Sequence, residues 1–324
     1  MLLSIIFIAI GMAMLVFGGD LLVNGSSSLA RRFKISELAI GLTIVAFGTS
    51  APEFVVSFTA SINGNPEIAL GNVIGSNIVN LLLILGITGV LVPVAVQKKT
   101  MFIEIPFSLF AAVVLFLLAN FGFIFGSRNM LGRIDGIILL LLFCLFILYV
   151  FKSMKRNESG EEKTPEKILP LWKTLIFIVL GLALLVAGGR VVVNAAVDLA
   201  LALNISEKII GLTILAVGTS LPELVTSVVA IIKKKSDIAI GNIIGSNIFN
   251  ILFALGASAL ARPMAYSPVF NRDIYLLLFG TLLLFTAMFT GKKRTLDRWE
   301  SAVFLLLYAG YVVFLIMTEG GGSS

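Results

Sequence analysis

Apolar runs long enough to cross a bilayer, about 20 residues each, occupy 3–24, 37–62, 67–96, 102–121 and 134–151. They resume at 172–194, 207–232, 237–261, 273–290 and 298–317. A mixed-charge stretch at 152–171, with Lys152, Lys155, Arg156, Glu158, Glu161 and Glu162 among its residues, separates the two groups. The pattern predicts an all-α polytopic membrane protein with ten transmembrane helices. It divides the chain into a five-helix unit at 1–151, a solvated linker at 152–171, a second five-helix unit at 172–318 and a tail at 319–324.

The two units are copies of one another. A shift of 170 residues aligns them without a gap from Gly11/Gly181 to Gly86/Gly256, and 24 of 40 positions are identical between 41–80 and 211–250. An odd number of spans turns the second copy over in the membrane, which makes the pair an inverted repeat. The loop charges point the same way. With the amino terminus outside, 18 of the 24 Lys and Arg residues fall in cytoplasmic loops and flanks. Arg128, Arg133, Arg190, Lys208, Arg262 and Arg272 remain outside, an asymmetry of the expected sign. Both termini are then extracellular. Equivalent loops also exchange charge: Arg31-Arg32-Phe33-Lys34 becomes Leu201-Ala202-Leu203-Asn204, and Asn63-Gly64-Asn65 becomes Lys233-Lys234-Lys235.

Composition narrows the reading further. The chain is 58% hydrophobic and 13% charged, which excludes an ordinary soluble domain. Its net charge of +6 lies in short loop clusters, so no nucleic-acid partner is expected. Histidine is absent and Cys144 is the one cysteine. Imidazole ligands, histidine proton relays, intrachain disulfides and thiolate clusters are therefore excluded. The first apolar run has no basic flank before it and is read as a span, not a cleaved signal. The terminal Gly-Gly-Gly-Ser-Ser reads as a flexible tail.

Against this background one stretch stands out in each copy: Gly48-Thr49-Ser50-Ala51-Pro52-Glu53 and Gly218-Thr219-Ser220-Leu221-Pro222-Glu223. A carboxylate at membrane depth costs about 2.5–3.5 kcal/mol on insertion scales and marks a functional site by default. Pro52 lacks a donor and its ring opposes the carbonyl of Gly48, so the second span should break at Gly48–Pro52, freeing carbonyls near Ala46 and Phe47. Thr49 and Glu53, four apart, share a face beside Ser50. Hydroxyls that merely bond their own kinked helix would explain Thr49 and Ser50, but not the acids.

The third and eighth spans open with Gly71-Asn72-Val73-Ile74-Gly75-Ser76-Asn77-Ile78-Val79-Asn80 and Gly241-Asn242-Ile243-Ile244-Gly245-Ser246-Asn247-Ile248-Phe249-Asn250. Asn72, Ser76 and Asn80 make one polar stripe. The glycines suit close helix packing, and Asn72 and Asn77 suit either interhelical hydrogen bonding or ligation. Brought together at mid-membrane, these stretches assemble two carboxylates, six hydroxyls and two amide oxygens. An all-oxygen shell suits hard cations such as calcium, with about 6–8 ligands, better than metals that recruit nitrogen or sulfur.

These doubled motifs in ten spans resemble the alpha repeats of the sodium/calcium exchanger family, within the cation/calcium antiporter superfamily. The chain is similar to prokaryotic members, which have no large regulatory loop. The resemblance implies that Glu53 and Glu223 bind calcium and sodium, with oxygens from Thr49 and Thr219. It further implies sodium ligation by Ser50, Ser76, Ser220, Ser246 and the carbonyls of Ala46 and Ala216, with Asn80 and Asn250 completing the central site. Some members carry Asp where this chain has Asn250. Two acids in place of three weaken the expectation of potassium co-transport.

The expected activity is electrogenic antiport of several sodium ions against one calcium, potassium-independent, at the cell membrane and by alternating access. The chain is expected to be no enzyme, to use no cofactor beyond the ions it carries, and to have no indicated protein partner. The glycine-rich first and sixth spans, with Gly11, Gly18, Gly19, Gly181, Gly188 and Gly189, suit sliding against a rigid core; static close packing is the plainer reading. A proton/calcium exchanger on the same scaffold is the alternative. A cation channel and a non-transporting scaffold fit less well, the latter because it leaves two buried acids unused.

Overall fold

The computed structural model describes residues 2–121, 129–153, 169–203 and 216–320. Its helices are α1 (Leu2–Arg32), α2 (Glu37–Thr49), α3 (Ala51–Ile62), α4 (Pro66–Leu91), α5 (Thr100–Phe121) and α6 (Arg133–Ser153). After the linker come α7 (Leu171–Ala202), α8 (Leu221–Ile232), α9 (Ser236–Ala261), α10 (Pro268–Ala287) and α11 (Arg298–Gly320). Eight of the described helices are long and apolar enough to cross a bilayer, and α2 with α3, bent by 50°, makes a ninth span. Of the expected span at 207–232, the structure describes a helical turn at Ala216–Gly218 and α8. Residues 204–215 lie outside the described residues, as do most of the linker and residues 321–324 of the tail.

Two long outer helices pair through glycine. A Cβ at Gly18 would sit 2.9 Å from the Gly181 carbonyl, and one at Gly181 would sit 2.8 Å from the Gly18 carbonyl. Gly11 and Gly188 meet in the same way. Residue numbers rise along α1 as they fall along α7, so the two copies of this helix run antiparallel, as an inverted repeat requires. Only glycine permits this approach, since any side chain would strike backbone.

Short ribbons interlock the copies. β1 (Val94–Ala95), after α4, pairs antiparallel with β4 (Thr295–Leu296), before α11. β2 (Met130–Leu131), before α6, pairs antiparallel with β3 (Met264–Ala265), after α9. Each ribbon therefore joins the same two places in the repeat, taken once from each copy. The turn between α3 and α4 uses Gly64 at φ +82, and the equivalent turn between α8 and α9 uses Lys234 at φ +59. A left-handed lysine costs about 1–2 kcal/mol. The second copy accepts that cost where its loop carries charge.

The core consists of α4 and α9 with the broken helices against them. Leu70, Val73, Ile74 and Ile78 of α4 and Ile238, Ile243 and Ile248 of α9 are buried. By contrast, α1, α7 and α11 turn large apolar side chains outward, such as Phe17, Val179 and Leu306, as lipid-facing helices do.

Candidate ion-binding site

The break comes where the proline predicts it. Ser50 leaves helical geometry (φ −83, ψ 5) between α2 and α3, with Pro52 in the first turn of α3. Ser220 does the same (φ −87, ψ 7) before α8. The break does not release the Ala46 carbonyl, which accepts the Ser50 N–H at 3.0 Å and has the Thr49 hydroxyl at 3.4 Å. In the other copy Ser220 N–H bonds the Val217 carbonyl at 3.1 Å. The backbone of Ala216 lies in the short turn leading to this break.

At the two breaks the copies cross over. Ser50 donates to Oε1 of Glu223 at 2.8 Å, and Ser220 donates to Oε1 of Glu53 at 3.3 Å. Each carboxylate is thus held by the hydroxyl of the opposite repeat, and both are fully buried. Among the described residues, the second oxygen of each, Oε2, has no hydrogen-bond partner. Two buried carboxyl groups with one free oxygen apiece form an oxygen-rich centre that the described protein donors leave incomplete.

The surrounding polar groups sort into two sets. One set braces the backbone. Asn72 Nδ2 donates to the Glu53 carbonyl at 3.1 Å and to Ser57 at 2.8 Å; Asn242 Nδ2 repeats this with the Glu223 carbonyl at 3.3 Å and Ser227 at 3.0 Å. Thr49 Oγ1 lies 3.0 Å from Asn242 Oδ1 and 3.1 Å from the Val45 carbonyl, both acceptors for its one proton. Ser76 donates to the Asn72 carbonyl at 2.7 Å. The other set is oxygen without a partner among the described residues: Oδ1 of Asn80 and Asn250, Oγ1 of Thr219 and Oγ of Ser246.

Asn80 and Asn250 sit in π-helical turns, Val79–Ile84 of α4 and Phe249–Leu255 of α9. Such wide turns recur at functional sites because the extra residue re-aims the side chains around it. Asn77 and Asn247 bridge α4 and α9. Each donates Nδ2 to the other's carbonyl, at 3.2 and 3.3 Å. Of the two roles open to Asn72 and Asn77 in sequence, the structure gives both an interhelical hydrogen bond.

Sequence reasoning missed Ser57 and Ser227, although both are identical between the copies and fall four residues after each acid. It also did not see that the partners cross, because Ser50 and Glu223 are 173 residues apart. Gly241 and Gly245 serve packing as expected: a Cβ at either would strike the backbone of α2 within 3.0 Å. A Cβ at Gly71 would sit 3.6 Å from Phe270, and one at Gly75 meets nothing within 4 Å among the described residues; residues 204–215 lie outside them.

The two copies are not equivalent in their surroundings. The outer helix α1 lies along α8, with a Cβ position at Gly19 only 3.4 Å from Val225. Val225 and Thr226 of α8 are accordingly 8% and 0% exposed. Their counterparts on α3, Val55 and Val56, are 53% and 39% exposed. Gly189 of α7, the equivalent of Gly19, approaches Pro222 of α8 and not α3. Both outer helices lean toward one broken helix and leave the other uncovered.

Comparison with known proteins places these features in context. The sequence profile described as sodium/calcium exchanger protein matches residues 3–152 and 173–317. The inner membrane protein YrbG of Escherichia coli is 37% identical over 98% of this chain and 97% of its own length. The sodium/calcium exchanger MaX1 of Methanosarcina acetivorans is 31% identical over 96% of this chain and 98% of its own. Among solved structures, the sodium-calcium exchanger NCX_Mj soaked with Na+ and Ca2+ superposes with a TM-score of 0.79 at 33% identity, covering 96% of this chain and 98% of that one.

Proposed function

The chain belongs to the sodium/calcium exchanger family of multi-pass membrane transporters, and from that premise we propose that it exchanges sodium for calcium at one site built jointly by its two repeats. The observation that carries this reading is the crossed pair, Ser50 on Glu223 and Ser220 on Glu53, with both Oε2 atoms unpartnered. Glu53 and Glu223 bind calcium and sodium in turn, with Thr49 and Thr219. Ser50, Ser76, Ser220, Ser246 and the carbonyls of Ala46 and Ala216 serve sodium, and Asn80 and Asn250 complete the centre. A formal charge of −2 balances one calcium or partly balances several sodium ions, which makes the two loads mutually exclusive.

Transport proceeds by alternating access, electrogenically and without potassium. The unequal cover of α3 and α8 supports this: an inverted repeat exchanges sides when its two copies exchange conformations. The α1–α7 pair, locked by its glycines, is the body that moves against the core. The reading places both termini outside the cell. Four contacts support that orientation. The β1–β4 ribbon gathers loops bearing Lys98, Lys99, Lys292 and Lys293, all assigned to the cytoplasm. On the same side Lys233 pairs with Asp20 at 2.5 Å and Lys235 with Glu37 at 3.3 Å. On the other side, Arg262 donates to the Ile62 carbonyl at 2.7 Å.

The test is calcium uptake into sodium-loaded proteoliposomes diluted into sodium-free buffer. Uptake should require the outward sodium gradient, respond to clamped voltage and ignore potassium. Uptake that follows an imposed pH gradient and ignores sodium would favour the proton/calcium exchanger instead.

A further inference from the structure

A carboxamide presents oxygen on one side and N–H on the other at nearly the same size, so a buried asparagine in a cation site is useful in only one of its two orientations. Oδ1 of Asn80 and Oδ1 of Asn250 are both buried and, among the described residues, unpartnered, and both amide nitrogens are engaged elsewhere. We propose that Asn77 and Asn247 are positioning residues that turn the side chains of Asn250 and Asn80 so that the site offers oxygen, never N–H, to a cation. The inference rests on the ion-exchange reading above and adds the device that makes its centre acceptor-only.

The orientation follows from a chain of hydrogen bonds anchored on backbone. A main-chain carbonyl can only accept, so the Asn247 carbonyl, 3.2 Å from Nδ2 of Asn77, fixes which end of the Asn77 amide faces it. That leaves Oδ1 of Asn77 to accept Nδ2 of Asn250 at 3.1 Å, and Oδ1 of Asn250 turns the other way. Ser76 Oγ reinforces this, accepting the same Nδ2 at 3.3 Å. The mirror sequence runs from the Asn77 carbonyl to Nδ2 of Asn247 at 3.3 Å, and from Oδ1 of Asn247 to Nδ2 of Asn80 at 3.0 Å. Each positioning residue therefore orients the central asparagine of the opposite repeat. The site is preorganised before an ion arrives, and a cation does not have to turn the amides itself.

The experiment measures apparent calcium affinity by thermal stabilisation of the purified protein, alongside KM and maximal rate of sodium-driven uptake. Asn77→Leu keeps the volume but removes the acceptor. It should weaken calcium binding at least about tenfold and raise KM more than it lowers the maximal rate. In an Asn250→Asp background the same substitution should cost less than about threefold, because a carboxylate presents oxygen whichever way it turns. Asn247→Leu, the mirror substitution, should weaken binding likewise and should cost less than about threefold in an Asn80→Asp background, a comparison that survives if Asn77→Leu does not fold. An equal loss in both backgrounds, or no loss in the native one, would overturn the proposal. If calcium fails to stabilise the native protein, the exchange reading falls separately. The same variants are then compared with whichever of Na+, Mn2+ or Sr2+ does stabilise it.

Discussion

At the scale of single residues, the site is defined by what its acids lack. Each glutamate uses one oxygen on a serine from the other repeat and, among the described residues, leaves one free in a fully buried setting. Glu53→Gln and Glu223→Gln should each bring sodium-driven calcium uptake down to the level of empty vesicles; substantial uptake by either would remove that acid from the site. Ser50→Ala takes away a hydrogen bond to a charged partner, worth about 1.5–3 kcal/mol. The variant should melt several degrees below the native protein, and an unchanged melting temperature would mean the crossed bond contributes nothing. The acids were legible in sequence because a charge inside an apolar run is costly and this one occurs twice. The crossing was not, because local spacing places Ser50 beside Glu53 and says nothing about which carboxylate its hydroxyl reaches across the fold. The roles of Asn77 and Ser57 were obscure for the same reason: their partners lie on other helices.

At the scale of elements, the proline fixes where the helix breaks, and glycine fixes where helices touch. The break at Ser50 and the capacity of α1 and α7 for close packing were written in residue types, since Pro52 removes a donor and Gly18 removes a side chain; that the two helices pack on each other was not. The π-helical turns around Asn80 and Asn250 carried no such mark: Val79–Ile84 and Phe249–Leu255 contain neither glycine nor proline. Gly181→Leu would drive a side chain into the backbone of α1, 2.7 Å from the Leu22 nitrogen at its Cβ alone. It should abolish monodisperse folded protein in detergent or lower its melting temperature markedly, and a native-like elution and melting curve would show that the pairing is loose. The uncovered helix gives a second prediction at this scale. In a Cys144→Ala background, with the protein purified in detergent, Val55→Cys should react with a thiol reagent several times faster than Val225→Cys. Equal labelling of the two would contradict the inequality of the copies.

At the scale of the whole molecule, duplication explains why one site needs both halves of the chain. Ribbons β1–β4 and β2–β3 tie each copy to the other, and the serine hydroxyl that donates to Oε1 of each site glutamate comes from the opposite repeat. The inverted architecture was legible from the 170-residue offset and the exchanged loop charges. The unequal cover of α3 and α8 was not, because two nearly identical motifs contain no instruction about which is covered at a given moment. The central claim is that the two repeats share a single centre at which calcium and sodium exclude one another. Calorimetric titration of the purified protein with calcium, at several sodium concentrations, tests it most directly. The account predicts one calcium per chain, an apparent affinity that falls steadily as sodium rises, and loss of that binding in Glu53→Gln and Glu223→Gln alike. Calcium binding that is indifferent to sodium, or that survives when one of the two glutamates is replaced, would contradict it.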